Sequence, residues 1–132
     1  MKLVDNWQRK NRFKELVYMG DQRKVDSSNI PRLYVLVRDD LLPPLHQGIQ
    51  AAHACILLAT KIKVDPNSYL ILLGATQRDM IGATYGHKYK MAVYVDRGLV
   101  NPENMPVATA MAFEPMSLSE GNKLFGHLKR AE

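Results

Sequence analysis

Four short apolar runs, separated by turn-forming clusters and by stretches of helical character, constrain this fold more than any other feature of the chain. Leu33-Tyr34-Val35-Leu36-Val37 is uninterrupted, the pattern of a strand buried on both faces. Tyr69-Leu70-Ile71-Leu72-Leu73 repeats it. Met91-Ala92-Val93-Tyr94-Val95 makes a third strand and Val107 to Phe113 a fourth. After the first run, Asp39-Asp40-Leu41-Leu42-Pro43-Pro44 is a turn that leaves Pro44 suited to a first helical position. Residues 45–63 contain no proline and read as a helix, closed by Asp65-Pro66-Asn67. Residues 75–85 predict a short helix ending near Gly86, and residues 96–105 a long loop containing Gly98 and Pro102. Ser117-Leu118-Ser119-Glu120 predicts a capping box opening a last helix, with Leu118, Leu124, Phe125 and Leu128 on its apolar face. The order β-α-β-α-β-β-α implies right-handed crossovers. The expected class is α/β: a three-layer α/β/α domain on a mixed, mostly parallel four-stranded sheet, in which the tight third-to-fourth connection supplies one antiparallel strand.

The first 31 residues differ from the rest. They carry Lys2, Arg9, Lys10, Arg12, Lys14, Arg23 and Lys24 against Asp5, Glu15, Asp21 and Asp26. Residues 6–19 read as a helix capped by Asp5 with Gln8, stopped at Gly20, with Trp7, Phe13, Leu16 and Val17 as an uneven apolar stripe. Asp26 to Pro31 reads as a linker. The organisation expected is therefore a basic helical extension and linker over 1–31 and one α/β domain over 32–132. At 132 residues and 46% hydrophobic content, such a chain buries a sufficient core without a staple. Its single cysteine, Cys55, cannot form an intramolecular disulfide, which points to a reducing, cytoplasmic setting. The densest apolar stretch, Ala51 to Ala59, is interrupted by His53 and is too short to span a bilayer. The net charge of +5 favours a polyanionic partner.

On the first long helix, His46, Gln50 and His53 fall within roughly 60° of one another. Any helix on a sheet has a solvent side, and this stripe fits one. Its composition does not, because a plain surface stripe uses Lys, Glu and Arg, as Lys61 and Lys63 do at the far end. Ligands in open α/β sheets bind beyond the carboxyl ends of the strands. Asp39 and Asp40 follow strand one, and Asp96 follows strand three. If those strands are parallel neighbours, Asp39, Asp40, Asp96, His46 and Gln50 converge at one rim, where a carboxylate facing an amide or imidazole can orient water or act as a general base. Asp96 beside Gly98 is equally well placed as a turn former, and Asp39 after the first strand reads first as a turn or cap residue.

Other chemistries find less support. His46 and His53 are about 10 Å apart along the helix, too far to share one ion easily, and neither a Cys cluster nor an HExxH pattern is present. No dinucleotide fingerprint, Walker loop or nucleophile elbow occurs, so neither metal nor cofactor is expected. Cys55 falls on the apolar helix face and reads as inert core. The basic groups Arg9-Lys10-Asn11-Arg12-Phe13-Lys14, His87-Lys88-Tyr89-Lys90 and Lys129-Arg130 could track phosphates, with Tyr85 and Tyr89 offering rings to stack on bases. Each is also an ordinary solvated surface.

Val35-Leu36-Val37-Arg38-Asp39-Asp40-Leu41 followed by Gln50-Ala51-Ala52-His53-Ala54 resembles the opening of the type 2 peptidyl-tRNA hydrolase family. Val95-Asp96-Arg97-Gly98 resembles that family's Asp-Ala-Gly segment. Val107 to Phe113 with Ser117 to Lys129, ending Gly126-His127-Leu128-Lys129, resembles its last strand and helix. The matches are short but collinear over residues 32–130. The resemblance implies metal-independent hydrolysis of the ester joining a peptide to tRNA, with Asp96 as the active-site carboxylate and Gln50 and His53 as helix residues of the site. The chain departs from the pattern in the turn before the helix, which is one residue shorter and carries Pro43-Pro44, and at two further positions. His46 stands where the family has the second Lys of a Lys-Gly-Lys turn, and the family's Thr after Asp-Ala-Gly is replaced around Val100.

Two readings from different classes result. In one, Asp96 activates water, His46 stabilises the oxyanion, Gln50 and His53 orient substrate, and Arg9, Lys10, Arg12, Lys14, Arg38, Lys88 and Lys90 hold tRNA or another RNA. In the other, the same fold is a catalytically degenerate module that binds RNA or protein. A small-molecule enzyme on this fold is a third, weaker class. The sequence leaves a homodimer open.

Overall fold

A computed structural model describes residues 30–131. The basic helix expected over 6–19, with Arg9, Lys10, Arg12 and Lys14, lies outside the described residues. Four strands, β1 (Arg32–Val37), β2 (Tyr69–Gly74), β3 (Met91–Val100) and β4 (Pro106–Phe113), alternate with helices α1 (Pro44–Lys61), α2 (Gln77–Gly82) and α3 (Leu118–Phe125). They form one mixed sheet in the order β2-β1-β4-β3.

The expectation of a mostly parallel sheet is corrected. Only β1 and β2 pair in parallel, while β1–β4 and β4–β3 are antiparallel. The cause is the short β3–β4 connection. A hairpin returns the chain antiparallel, and β4 then enters between β3 and β1. Being antiparallel to a shared neighbour, β1 and β3 still run in the same direction, so their carboxyl ends lie at one rim.

All six residues of β1 are buried, as its uninterrupted apolar run requires. Leu33, Val35 and Val37 pack with Ala51, Ala54 and Leu58 of α1. Tyr34 and Leu36 pack on the other face with Met80 of α2 and Phe125 of α3. Cys55 is half-buried against the α1 cluster, and that burial pushes its thiol pKa up. Small alanines at Ala92, Ala110 and Ala112 let α1 lie close on the sheet. Across the sheet, Gly121 of α3 lies against Tyr34, where an added Cβ would meet the ring at 2.1–2.3 Å.

Helix α1 starts with Pro44 as its first residue. The buried Gln47 secures that start by donating its side-chain N–H to Leu42 O at 2.8 Å. Helix α3 keeps half of the expected capping box. Ser117 Oγ accepts from Glu120 N–H at 3.2 Å, while the Glu120 carboxylate turns to Lys123. Among the described residues, no helix is long and apolar enough to cross a membrane.

Candidate active site at the sheet rim

Two irregularities at the end of the β3–β4 ladder build the site. Tyr94 pairs with Ala110, and the next residue, Val95, pairs with Ala108, so Thr109 is one extra residue in β4. Ala110 and Ala112 face α1, whereas Met111 and Phe113 face the other way. Regular alternation would put Thr109 with Met111. The bulge re-aims it toward α1, where its hydroxyl donates to Gln50 Oε1 at 2.7 Å in a fully buried setting. Further along, Asp96 pairs with Val107 and Val100 with Pro106, leaving Arg97, Gly98 and Leu99 looped out of register. That loop folds the Gly98 N–H onto Asp96 Oδ1 at 2.8 Å.

Gln50 joins the two irregularities. Its Oε1 accepts from Thr109, and its Nε2 donates to Asp96 Oδ2 at 2.9 Å. The side chain is only 8% exposed. With its oxygen engaged by a hydroxyl donor, the amide must present its N–H group to the carboxylate. Asp96 thus receives one hydrogen bond on each oxygen and keeps further acceptor capacity on both. A carboxylate held in this way, half-buried at a strand end, can orient and deprotonate a water molecule.

The two histidines of the stripe sit at either side of Gln50, and both are exposed. The His53 ring stacks on Tyr94, with centroids 4.5 Å apart and planes 8° from parallel. His46 lies one helical turn before Gln50, about 6 Å along the axis. Asp39 and Asp40 do not join Asp96. Asp39 lies against Gly74 at the end of β2, so closely that a Cβ there would meet its carboxylate at 1.8 Å. Asp40 accepts from Arg38 Nε at 2.8 Å and Nη2 at 3.0 Å, and this pairing holds its carboxyl below the usual range.

Arg38, expected among the RNA-contacting cations, lies just past the end of β1 in this pairing. It is buried to 7% exposure, with Nε and Nη2 engaged by Asp40. Lys88 and Lys90 are exposed, as is Tyr85, but the two lysines precede β3. Five residues of strand separate its start from Asp96, about 17 Å. The structure therefore brings together Gln50 and Asp96, adds Thr109, which the sequence reading missed, and leaves the lysines at the opposite end. Among the described residues, no group of three or more His, Cys, Asp or Glu is placed to hold a metal ion. Comparison with known proteins adds nothing to this geometry: no family model and no curated protein matches the chain.

Proposed function

We propose that this protein hydrolyses the ester joining a peptide, or an acylated amino acid, to tRNA. The observation that carries the reading is the Gln50–Asp96 hydrogen bond. It joins residues 46 positions apart and is backed by a buried threonine hydroxyl. A carboxylate at the carboxyl end of a strand, oriented by a fixed amide, is a general base in waiting.

In this reading Asp96 takes a proton from water as the water attacks the ester carbonyl. The C–O bond to the terminal ribose then breaks, and the ribose oxygen takes up a proton, releasing the peptide acid and free tRNA. His46 supplies a hydrogen bond, or positive charge when protonated, to the developing oxyanion. His53, held against Tyr94, flanks the substrate. Lys88, Lys90 and the exposed Tyr85, together with the cations of the first 31 residues, meet the RNA backbone and bases. The reading takes α1 as one outer layer of a three-layer domain and α2 with α3 as the other, and it implies a cytoplasmic setting.

The test incubates the full chain with N-acetyl-aminoacyl-tRNA and follows release of free tRNA. Asp96→Asn, which keeps the shape and removes the base, is expected to lower the rate by at least about 100-fold. Release that survives Asp96→Asn unchanged refutes the assignment. The exposed position of His46 favours a second reading, a catalytically degenerate RNA-binding module. That reading expects no release but tRNA binding that weakens steeply with salt.

A further inference from the structure

On the sheet face opposite Gln50 lies a cavity of about 430 Å³, within the range of small-ligand sites. Its walls are mostly apolar, with Met80 and Ile81 of α2, Val93 and Val100 of β3, and Ala108 and Met111 of β4, while Gln77, Thr84 and Asn101 add polar groups. Ile81, Val93 and Val100 are each more than a third exposed, so the apolar surface is open to a visitor. The cavity belongs to the same rim as Asp96. Val107, the strand partner of Asp96, is part of its wall, as is Arg38, which follows β1. The bulge at Thr109 makes this arrangement possible. It sends the Thr109 side chain to one face and leaves Ala108 and Met111 on the other.

Arg38 gives the cavity its one buried cation. Its Nε and Nη2 are committed to Asp40, and Nη1 has no acceptor among the described residues. The side chain as a whole is more than nine-tenths buried, and Nη1 is not among the fully buried unpartnered atoms, so it keeps an open face from which to donate. Asp40 already neutralises the guanidinium. The remaining N–H groups therefore suit an uncharged acceptor, such as a peptide carbonyl, better than a second carboxylate.

We infer that this cavity binds an uncharged apolar peptide segment, its side chain among Met80, Ile81 and Met111 and a backbone carbonyl accepting from Arg38 Nη1. Resting on the hydrolase reading, that segment is the peptide part of the substrate, which crosses the rim while its ester lies at Asp96. The site accordingly selects for apolar residues near the ester.

The experiment separates this inference from the hydrolysis itself. The full chain, labelled at its methionine methyl groups, is titrated with N-acetyl-Leu-Leu-amide, which carries no ester and no RNA. Saturable shifts confined to the Met80 and Met111 signals are expected, with Met91 and Met116 as references. N-acetyl-Gly-Gly-amide should leave both signals in place. Ile81→Asp, at an exposed position of the wall, should weaken binding by about tenfold or more. Arg38→Lys, which retains the charge but loses the planar fork, should weaken it as well. Equal response to the two amides, or none, overturns the inference even where tRNA esters are cleaved. Selective binding in a protein that cleaves no tRNA ester supports the peptide site and counts against the hydrolase reading alone.

Discussion

Replacing Thr109 by valine tests whether a buried hydroxyl holds the site together. Valine has nearly the shape of threonine, so the substitution opens little space, yet it deletes the donor that reaches Gln50 Oε1 at 2.7 Å. Thr109 is fully buried and Gln50 is 8% exposed, so water has little room to replace the lost bond. A buried acceptor left without a partner costs about 1–3 kcal/mol, and at the lower end of that range the melting temperature falls by at least about 4 °C. Without that bond the Gln50 amide is held less firmly against Asp96, so on the proposed hydrolase reading the rate of tRNA release should fall with stability. Thr109→Ser separates the two effects. It loses one methyl group, about 0.8 kcal/mol, and should keep the rate. Urea unfolding measures the first quantity and N-acetyl-aminoacyl-tRNA hydrolysis the second. Adding Gln50→Leu to Thr109→Val should cost less than the sum of the single changes, because the orphaned acceptor is gone. A valine variant with an unchanged urea midpoint and rate would refute the argument.

Further outcomes are expected elsewhere. Gly121→Ala should destabilise by about 1–3 kcal/mol or more in thermal melts, since its methyl group would strike the Tyr34 ring within the core. A double-mutant cycle on His53 and Tyr94 should return about 0.5–1.5 kcal/mol of coupling for their stacked rings; a coupling of zero would mean the stack is incidental. The Arg38–Asp40 pair should stabilise the fold at neutral pH. Because Asp40 titrates lower in the folded chain, that contribution is present above the ordinary carboxylate pKa and is lost as pH falls through the folded value. Asp40→Asn should accordingly lessen the steepness of acid unfolding below about pH 4, and an acid limb identical to wild type would count against the pairing.

Much of this arrangement is legible in the residues themselves. The unbroken Leu33 to Val37 run announces a strand covered on both faces, and it is one. The sequence places Asp96 and Gln50 at one rim on the condition that β1 and β3 be parallel neighbours; they run in the same direction, but β4 lies between them and it is α1 that carries Gln50 to Asp96. The bulge is harder to see. Strand alternation assigns Thr109 to the face of Met111, and no residue there signals an insertion, so the hydroxyl that fixes Gln50 escapes a reading by period two. The length of β3 is hidden for a related reason. Gly98 and Pro102 read as loop, but the strand continues to Val100 by looping out Arg97 to Leu99. Arg38 shows the limit of reading charge as surface: a carboxylate two positions on is enough to carry a guanidinium inside.

The strand order also sets a timetable for biosynthesis. When a ribosome has delivered β1, α1, β2 and β3, the sheet still lacks the strand that joins β3 to β1. The strand most suited to burial then waits with one backbone edge unpaired, an invitation to association with other chains. Gln50 likewise waits 59 residues for Thr109. Arrival of Pro106–Phe113 closes the sheet and completes the Gln50 network in one step, so a chain arrested before that point carries neither a finished core nor a formed site.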